Sequence, residues 1–242
     1  MSDVLKGKRL LIVDDEPDLR EMLEFEFEMS GASVETAMNG RDALEKFKHQ
    51  AFDLIISDIR MPGGDGVELI KNLNSQNIQV PLIFISGFAD IQVDEAYELG
   101  ASGYFTKPFV LQEIVNKVAE LTKNVNERWG KETILLESAV SFEKIFPSFE
   151  SEFVEFGRGG IMLTQLEKMP RIDTDIHFKL NFEKEDISLE GVGKVKWVKK
   201  LKGEMGTCVG LDISNLSKDS VSPWINYLET FCPSAYIPKA KA

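Results

Sequence analysis

The sequence predicts two domains: a doubly wound α/β domain with a five-stranded parallel sheet, then a small antiparallel β-barrel that ends in a helix. Three observations carry this prediction. Up to about residue 120, short apolar runs alternate with segments of helical periodicity. After that point, apolar and polar residues alternate with a period of two. The charge changes at the same place, from net −10 over residues 1–124 to net −2 over residues 125–242.

The first domain has five candidate strands and helices between them. Apolar runs at 9–13, 53–57 and 80–85 are bounded by Asp, Gly or Pro, and weaker runs lie at 33–36 and 103–105. Such runs are typical of a parallel sheet that is covered on both faces. Apolar residues at helical spacing predict the helices between them: Leu19, Met22, Leu23 and Phe27; more loosely Ile91, Ala96 and Leu99; and Leu111, Ile114, Val115 and Val118.

The second domain begins after a polar stretch. We predict a first domain at 1–123, a linker at 124–137, the barrel at 138–232 and a tail at 233–242. Strands are expected at 153–156, 160–163, 175–182, 188–198 and 207–213. A final helix should start near Asp219, where Pro223 would fall in the first turn.

Composition narrows the function classes. Lys and Arg total 28 against 40 Asp and Glu, so the chain lacks the basic surface that a duplex-DNA-binding protein needs. Its first apolar run, Leu10 to Val13, is too short for a signal peptide or a membrane span. We therefore expect a cytoplasmic protein that binds neither DNA nor membranes.

Acidic residues follow two strands that a doubly wound sheet places side by side. Asp14 and Asp15 follow the first strand, and Asp58 follows the third. Clustered carboxylates suit a hard divalent cation, and Mg²⁺ fits best because it binds one or two carboxylates plus a phosphate. Lys107 and Ser86 follow the fifth and fourth strands. Each residue alone has a simpler interpretation: Asp15 as a helix N-cap, and Asp58 or Lys107 as a solvated side chain. Together, the three acids, the lysine and the serine form the set of groups that phosphoryl transfer to an aspartate needs.

Four segments give residues 8–122 a clear resemblance to the receiver domain of two-component response regulators. The segments are LIVDDEP at 11–17, DLIISDIRMP at 53–62 with the turn Asp65-Gly66, FISG at 84–87 and YFTKPF at 104–109. The resemblance implies a flavodoxin-like fold and phosphorylation by a sensor histidine kinase or a phosphotransfer protein. Ser86 replaces the commoner Thr at its position.

The resemblance also assigns roles at the strand ends. Asp58 would accept the phosphoryl group. Asp15, Asp58 and the backbone carbonyl of Arg60 would bind Mg²⁺ directly, and Asp14 would bind it through water. Lys107 would contact the acyl phosphate, and its peptide bond to Pro108 would be cis.

The resemblance names two switch residues as well. Ser86 would move to hydrogen-bond the phosphoryl group, and Tyr104 would turn inward. The face formed by the fourth and fifth helices and the last strand would display this change. It could then alter the orientation of the barrel or produce a homodimer.

Residues 140–231 resemble a PilZ domain, a small barrel that in many bacteria binds cyclic di-GMP. EFGRGGIML at 155–163 lies where that family has a D/N-x-S-x-x-G element, and GVGKVKWV at 191–198 and TCVGLDI at 207–213 resemble its later strands.

The departures from the PilZ pattern concern the nucleotide. Ligand-binding members carry R-x-x-x-R ahead of the barrel, whereas Arg128 here is followed at i+4 by Glu132. In the D/N-x-S-x-x-G element, Glu155 stands at the position of the Asp or Asn, and Gly157 stands at the position of the Ser. Only the final glycine of the element, Gly160, matches. Arg158 and Gly160 are the remaining candidate ligand residues, and a solvated turn charge is the simpler interpretation of Arg158.

These observations favour a non-enzymatic response regulator whose PilZ-like domain binds a downstream protein. His177 is the only histidine of the second domain, and its position within a strand favours a structural role. One alternative is an effector that integrates phosphorylation with cyclic di-GMP. A second alternative is a phosphate sink with an inert second domain.

Overall fold

The structure is a computed structural model that describes residues 3–87, 90–129, 140–148, 151, 153–166, 169–200 and 206–239. Its contacts group the chain into two compact units. One comprises Met1–Gln92 and Leu99–Lys123, and the other comprises Val93–Glu98 and Asn124–Ala242. Most of the predicted linker at 124–137 and the last three residues of the predicted tail lie outside the described residues.

The first unit contains the predicted five-stranded parallel sheet. The strands lie in the order β2-β1-β3-β4-β5, and every neighbouring pair is parallel. Their bounds are β1 (Arg9–Val13), β2 (Ser33–Ala37), β3 (Leu54–Asp58), β4 (Leu82–Ser86) and β5 (Gly103–Thr106). All five residues of both β3 and β4 are buried, as central strands of a covered parallel sheet should be.

Helices alternate with these strands along the chain. Those of the first unit are α1 (Pro17–Met29), α2 (Gly40–Phe47), α3 (Gly66–Ser75) and α5 (Leu111–Leu121). The helix between β4 and β5 in sequence, α4 (Val93–Glu98), is grouped with the second unit. Side-chain caps begin two of them, since Asn39 accepts a hydrogen bond from the amide of Asp42 and Asp65 accepts one from the amide of Glu68. The doubly wound prediction is confirmed for this part of the chain.

The second unit is built on one curled sheet of six strands. The order is β6-β9-β10-β11-β8-β7, in which β6 and β9 run parallel and the other neighbours run antiparallel. The bounds are β6 (Val140–Phe146), β7 (Val154–Phe156), β8 (Gly160–Leu166), β9 (Asp175–Phe182), β10 (Ile187–Lys200) and β11 (Thr207–Leu216). A short helix, α6 (Val125–Trp129), precedes them.

The core of this unit follows from alternation along the strands. In β9 every second residue is buried, from Ile176 through Phe178 and Leu180 to Phe182. These side chains pack in one cluster with Trp129, which the sequence analysis had placed in a polar linker. Strand β6 was not predicted. Its side chains nevertheless alternate in exposure, since Phe142 is half-buried and Phe146 is buried, whereas Glu143 and Ile145 are exposed.

The final helix, α7 (Lys218–Phe231), packs its predicted face on the same core. Trp224 is fully buried there, and Ile225 and Leu228 pack against the cluster. The expectation that Pro223 falls in the first turn is wrong, because the helix begins at Lys218 and Pro223 lies inside it. A proline at this depth removes one i→i−4 hydrogen bond from the second turn. Within the described ranges, no helix has the length and apolar character that crossing a bilayer requires.

Candidate functional site

Two buried carboxyl groups meet where the strand order of the parallel sheet reverses. Asp14 directly follows β1 and Asp58 ends β3, and the neighbouring residues Val13 and Ser57 are paired in the sheet. Asp14 is 2% exposed and Asp58 is 7% exposed. Ligands of open α/β sheets bind at this kind of crevice, beyond the carboxyl ends of the strands.

Lys107 connects the acidic groups. Its Nζ atom lies 2.6 Å from Asp58 Oδ2, 2.9 Å from Glu16 Oε1 and 3.3 Å from Asp14 Oδ2. The lysine follows β5, so three separate strand ends contribute to one pocket. One ammonium group thus neutralises part of a charge that would otherwise be strongly repulsive.

The pocket has the donors of a hard-cation site. Among the described residues, Asp14, Glu16 and Asp58 form a group whose carboxylate oxygens lie within 4.8 Å of one another. All three carboxylates already contact one cation, the ammonium group of Lys107. Their oxygens are the ligands that Mg²⁺ prefers, so this group of acids fits a magnesium ion. Asp15 is exposed and lies outside this group, so direct ligation by Asp15 stays a prediction.

The protonation of the pocket follows from burial and from charge. Burial raises the pKa of Asp14 to about 6, because desolvation outweighs the hydrogen bond from the amide of Glu16 and the attraction of Lys107. Burial alone would lower the pKa of Lys107, but hydrogen bonds to Asp58 and Glu16 raise it above the usual range. Lys107 is therefore a permanent cation beside Asp58.

The loop after β3 borders the same pocket. The amide of Arg60 donates a hydrogen bond to Asp58 Oδ1 at 3.0 Å. Its side chain reaches the loop after β4, where Nε lies 3.5 Å from Asp90 Oδ1. Ligation of a metal by the Arg60 carbonyl stays a prediction.

The two predicted switch residues both contact the loop after β4. The buried Ser86 donates its hydroxyl hydrogen to Asp90 Oδ2 at 2.7 Å, and its Oγ atom also lies 2.7 Å from the carbonyl oxygen of Gly87. The half-buried Tyr104 donates from its hydroxyl to the carbonyl oxygen of Ile91 at 3.2 Å. Neither hydroxyl is hydrogen-bonded to Asp58 in this arrangement.

The remaining predicted feature of the pocket is the Lys107–Pro108 peptide bond, which is cis. The pocket thus combines a buried carboxylate, a neighbouring ammonium group, oxygen donors for a divalent cation and a nearby hydroxyl. Transfer of a phosphoryl group to an aspartate needs these chemical groups.

Comparison with known proteins agrees with this geometry. The model of the response regulator receiver domain matches residues 10–119. These residues are therefore similar to response regulator receiver domains, and we call the unit that they form the receiver domain. All of the strands β1–β5 except Arg9 lie within the matched range.

Relatives of the receiver domain come from several organisms. The alkaline phosphatase synthesis transcriptional regulatory protein PhoP of Bacillus subtilis is 36% identical over 119 residues, which cover 48% of this chain and 49% of PhoP. The probable transcriptional regulator ycf27 of Cyanidium caldarium is 35% identical over 124 residues, which cover 50% of this chain and 49% of ycf27. This chain therefore spans about half the length of these two relatives.

Solved receiver structures are similar over the same share of the chain. The receiver domain of the Francisella response regulator 1452 is 31% identical, with a TM-score of 0.46. The match covers 48% of this chain and 97% of that domain.

The candidate ligand residues of the second unit lie in the turn between β7 and β8, against the segment that follows α7. The amide of Arg158 donates to the carbonyl oxygen of Ala235 at 2.8 Å, and its Nε donates to that of Ser234 at 3.2 Å. A Cβ atom at Gly160 would lie 2.1 Å from the carbonyl oxygen of Leu211. Both residues are therefore engaged by the protein's own chain.

An aromatic ring closes the same turn. The amide of Gly159 donates to the carbonyl oxygen of Tyr236 at 3.0 Å, and a Cβ atom at Gly159 would fall 2.0 Å from the Tyr236 ring. Tyr236 itself is 2% exposed and its hydroxyl lies 3.3 Å from Asp212 Oδ1. Glycine is required at position 159 because the ring occupies the space of any side chain.

Two residues of the receiver site are absent from the residues predicted for it. Glu16 contacts Lys107, and its signal is the run of three acids at 14–16, of which only Asp14 and Asp15 were predicted to belong to the site. Asp90 accepts the hydrogen bond of Ser86, but no spacing in the sequence marks it. His177 pairs with Glu190 across β9 and β10 at 3.0 Å, in keeping with the structural role expected for it.

Proposed function

We propose that this protein is a two-component response regulator in which phosphorylation of Asp58 controls a protein-binding second domain. The phosphoryl donor would be a sensor histidine kinase or a phosphotransfer protein. The carrying observation is the contact between Lys107 Nζ and Asp58 Oδ2 at 2.6 Å in a pocket of carboxylates.

The proposed reaction is attack by a carboxylate oxygen of Asp58 on the phosphorus of a phosphohistidine. The new bond joins Asp58 to phosphorus as the bond from phosphorus to the histidine nitrogen breaks, and the histidine takes up a proton. Mg²⁺, held by oxygens of Asp14, Asp58 and either Glu16 or Asp15, would neutralise charge on the phosphoryl oxygens. Lys107 keeps its positive charge and would pair with one of those oxygens after transfer.

The proposed switch uses hydrogen bonds that already exist. Ser86 donates to Asp90, and Tyr104 donates to the carbonyl of Ile91, so both hydroxyls are bonded to the segment that precedes α4. A phosphoryl group on Asp58 offers Ser86 an acceptor that carries more negative charge than the Asp90 carboxylate. If Ser86 moves to it, the segment at 90–91 loses one anchor and its conformational equilibrium shifts.

Two features support a protein rather than cyclic di-GMP as the ligand of the second domain. The arginine pair of the nucleotide-binding pattern is missing, since Glu132 stands four residues after Arg128. In addition, the turn that carries Arg158 and Gly160 is bonded to the segment at 234–236. A nucleotide could reach this turn only after that segment had left it.

Acetyl phosphate and Mg²⁺ provide a direct test of the first step. We expect acetyl phosphate to phosphorylate the full chain, as seen by intact mass, and we expect Asp58→Asn to abolish the product. Asp18→Asn, an exposed aspartate in the first turn of α1, is the matched control and should leave phosphorylation unchanged. Phosphorylation of the Asp58→Asn protein to the wild-type level would contradict the assignment.

The output step needs a separate readout. We expect beryllofluoride with Mg²⁺, which mimics the acyl phosphate, to change the scattering profile of the full chain or its affinity for a partner. Superimposable profiles together with equal partner binding in both states would refute a phosphorylation-controlled output. Normal phosphorylation without any output would instead favour a phosphate sink.

A further inference from the structure

A groove opens on the second unit between its edge strand β6 and the end of β8. Its volume is about 800 Å³, and it is lined by residues 141–144, 165–166 and 169–171 together with Thr174 and Ile176. This groove lies outside the receiver pocket, and none of the candidate ligand residues in the turn between β7 and β8 lines it. We call it the β6 groove.

The wall formed by β6 is the edge of the sheet. In the described part of the chain β6 pairs with β9 alone, with Phe142 opposite Phe178 and Lys144 opposite Leu180. The other side of β6 therefore has no strand beside it among the described residues. A row of backbone amides and carbonyls at a sheet edge is a template for another extended chain.

The groove also holds a cation whose position is unusual for a surface lysine. Lys144 Nζ lies 5.2 Å from the centre of the Phe153 ring and 5.7 Å from that of Phe146, and it donates to Gln165 Oε1 at 2.9 Å. Burial lowers the pKa of Lys144, and Lys144 forms no ion pair with the described residues. A partly buried ammonium group without an ion pair favours an anionic partner.

Two of the three charged residues that line the groove are cations, Lys144 and the exposed Arg171. The third is Glu143, whose carboxylate lies 4.0 Å from Lys179 Nζ outside the lining. In a chain of net charge −12, a groove lining with more cations than anions is a local exception. Its charge complements an acidic partner.

Apolar side chains supply the remaining contact surface. Met169 lines the groove and is 60% exposed. Ile172 is equally exposed and lies next in sequence to the lining residue Arg171. Phe142, Leu166 and Ile176 form further apolar lining. Exposed apolar groups beside a cleft are typical of protein interaction sites.

We propose that the β6 groove binds an extended acidic peptide segment of a partner protein, which adds to the sheet beside β6. Acidic side chains of the peptide meet Lys144 and Arg171, and its aliphatic side chains pack on Met169 and Phe142. The free strand edge favours a peptide over other anions, because only a peptide has the backbone that pairs with it. The proposal rests on the protein-binding function proposed for the second domain.

Selection of random linear peptides on the full chain, followed by measurement of their affinity for wild type and for Lys144→Glu, tests this site. We expect enriched peptides to alternate acidic with aliphatic residues. By fluorescence anisotropy, Lys144→Glu and Arg171→Glu should each weaken an enriched peptide about tenfold or more, because each reverses a charge in the contact. Met169→Asp should weaken it too, and this exposed position is expected to tolerate the change without loss of folding.

Two controls separate the groove from general effects. Lys218→Glu makes the same charge change at the exposed start of α7 and should leave peptide affinity within about twofold, because exposed charges outside the contact contribute little. N-methylation of one set of alternate peptide amides should abolish binding, and N-methylation of the other set should leave it unchanged, since only every second amide of an added strand faces β6. Equal tolerance of methylation in the two sets would overturn pairing with β6.

The outcomes also distinguish this proposal from the function on which it rests. Peptides that bind Lys144→Glu as tightly as wild type, and that protect second-domain amides outside 140–146 from hydrogen exchange, would overturn the groove but keep the protein-binding function. Peptides that compete with self-association of the chain would identify a second copy as the occupant and also overturn the proposal. Failure to enrich any peptide would overturn the groove, and binding of cyclic di-GMP in place of peptides would overturn both.

Discussion

The receiver pocket and the turn at 156–160 both lie where a family motif predicts a ligand, but their surroundings differ. In the receiver, Asp14, Asp58 and Lys107 converge from three strand ends on one pocket. In the second unit, the chain's own segment at 234–236 is bonded to the turn. A motif therefore indicates a working site only when the space beside it is left to a ligand.

The largest expected effect concerns the core that supports the second domain. Trp224→Ala should lower the free energy of unfolding of that domain by about 3–5 kcal/mol, because a fully buried ring is replaced by a cavity. All three tryptophans, Trp129, Trp197 and Trp224, follow residue 124, so the fluorescence of the remaining two reports on this domain. Ile145→Ala, at a side chain that is 62% exposed, is the control and should change stability by less than about 0.5 kcal/mol.

In the receiver the largest stability effect should come from its central cation. Lys107→Ala leaves the buried Asp14 and Asp58 without their ammonium partner and should lower the free energy of unfolding by about 1–3 kcal/mol in the absence of Mg²⁺. Circular dichroism of denaturant unfolding measures this loss, and Lys71→Ala on the exposed side of α3 serves as control. Because Mg²⁺ can replace the lost positive charge, added Mg²⁺ should reduce the stability difference between Lys107→Ala and wild type. An equal loss of stability with and without Mg²⁺ would count against an acidic site that accepts a cation.

Steric conflict at the turn tests whether the C-terminal segment occupies it. Gly159→Ala should cost about 1–3 kcal/mol of stability in the second domain, because its Cβ atom would overlap the Tyr236 ring. In a double-mutant cycle, Tyr236→Ala should remove most of that cost. Additive effects of the two substitutions would show that the ring does not lie against the turn.

The smallest expected effect is at the start of α3, beyond β3. Asp65→Ala removes the acceptor for the amide of Glu68 and should destabilise the receiver by about 1 kcal/mol. Asp65→Asn keeps an acceptor and should cost less, which chemical denaturation can measure. Equal losses for the two variants would rule out capping as the cause.

The receiver could be predicted closely because its elements are local patterns. The buried runs at 9–13 and 53–57 give strands within one residue of the observed bounds, and the acids that follow them meet because parallel strands end at one edge. The contact between Ser86 and Asp90 was not predicted, since it depends on the course of one loop. Glu16 was not recognised as a contact of Lys107, because its place beside Pro17 also suits a helix start.

The second unit was harder to predict because its decisive contacts are distant in sequence. Strands with strict alternation, such as β9, were found, but β6 was missed because charged residues interrupt its pattern and a polar stretch precedes it. The close approach of Gly159 to Tyr236 joins residues that are 77 positions apart. No local pattern reveals such a contact, so the turn resembled a ligand site from the sequence alone.

Calorimetric titration of the full chain, first with beryllofluoride and Mg²⁺ and then with cyclic di-GMP, tests the central contrast most directly. We expect heat of binding for beryllofluoride with Mg²⁺, and we expect Asp58→Asn to abolish it. We expect no heat for cyclic di-GMP before or after that step, with an independent equilibrium assay to confirm the absence of binding. Micromolar or tighter binding of cyclic di-GMP in either state, or beryllofluoride binding that survives in Asp58→Asn, would contradict it.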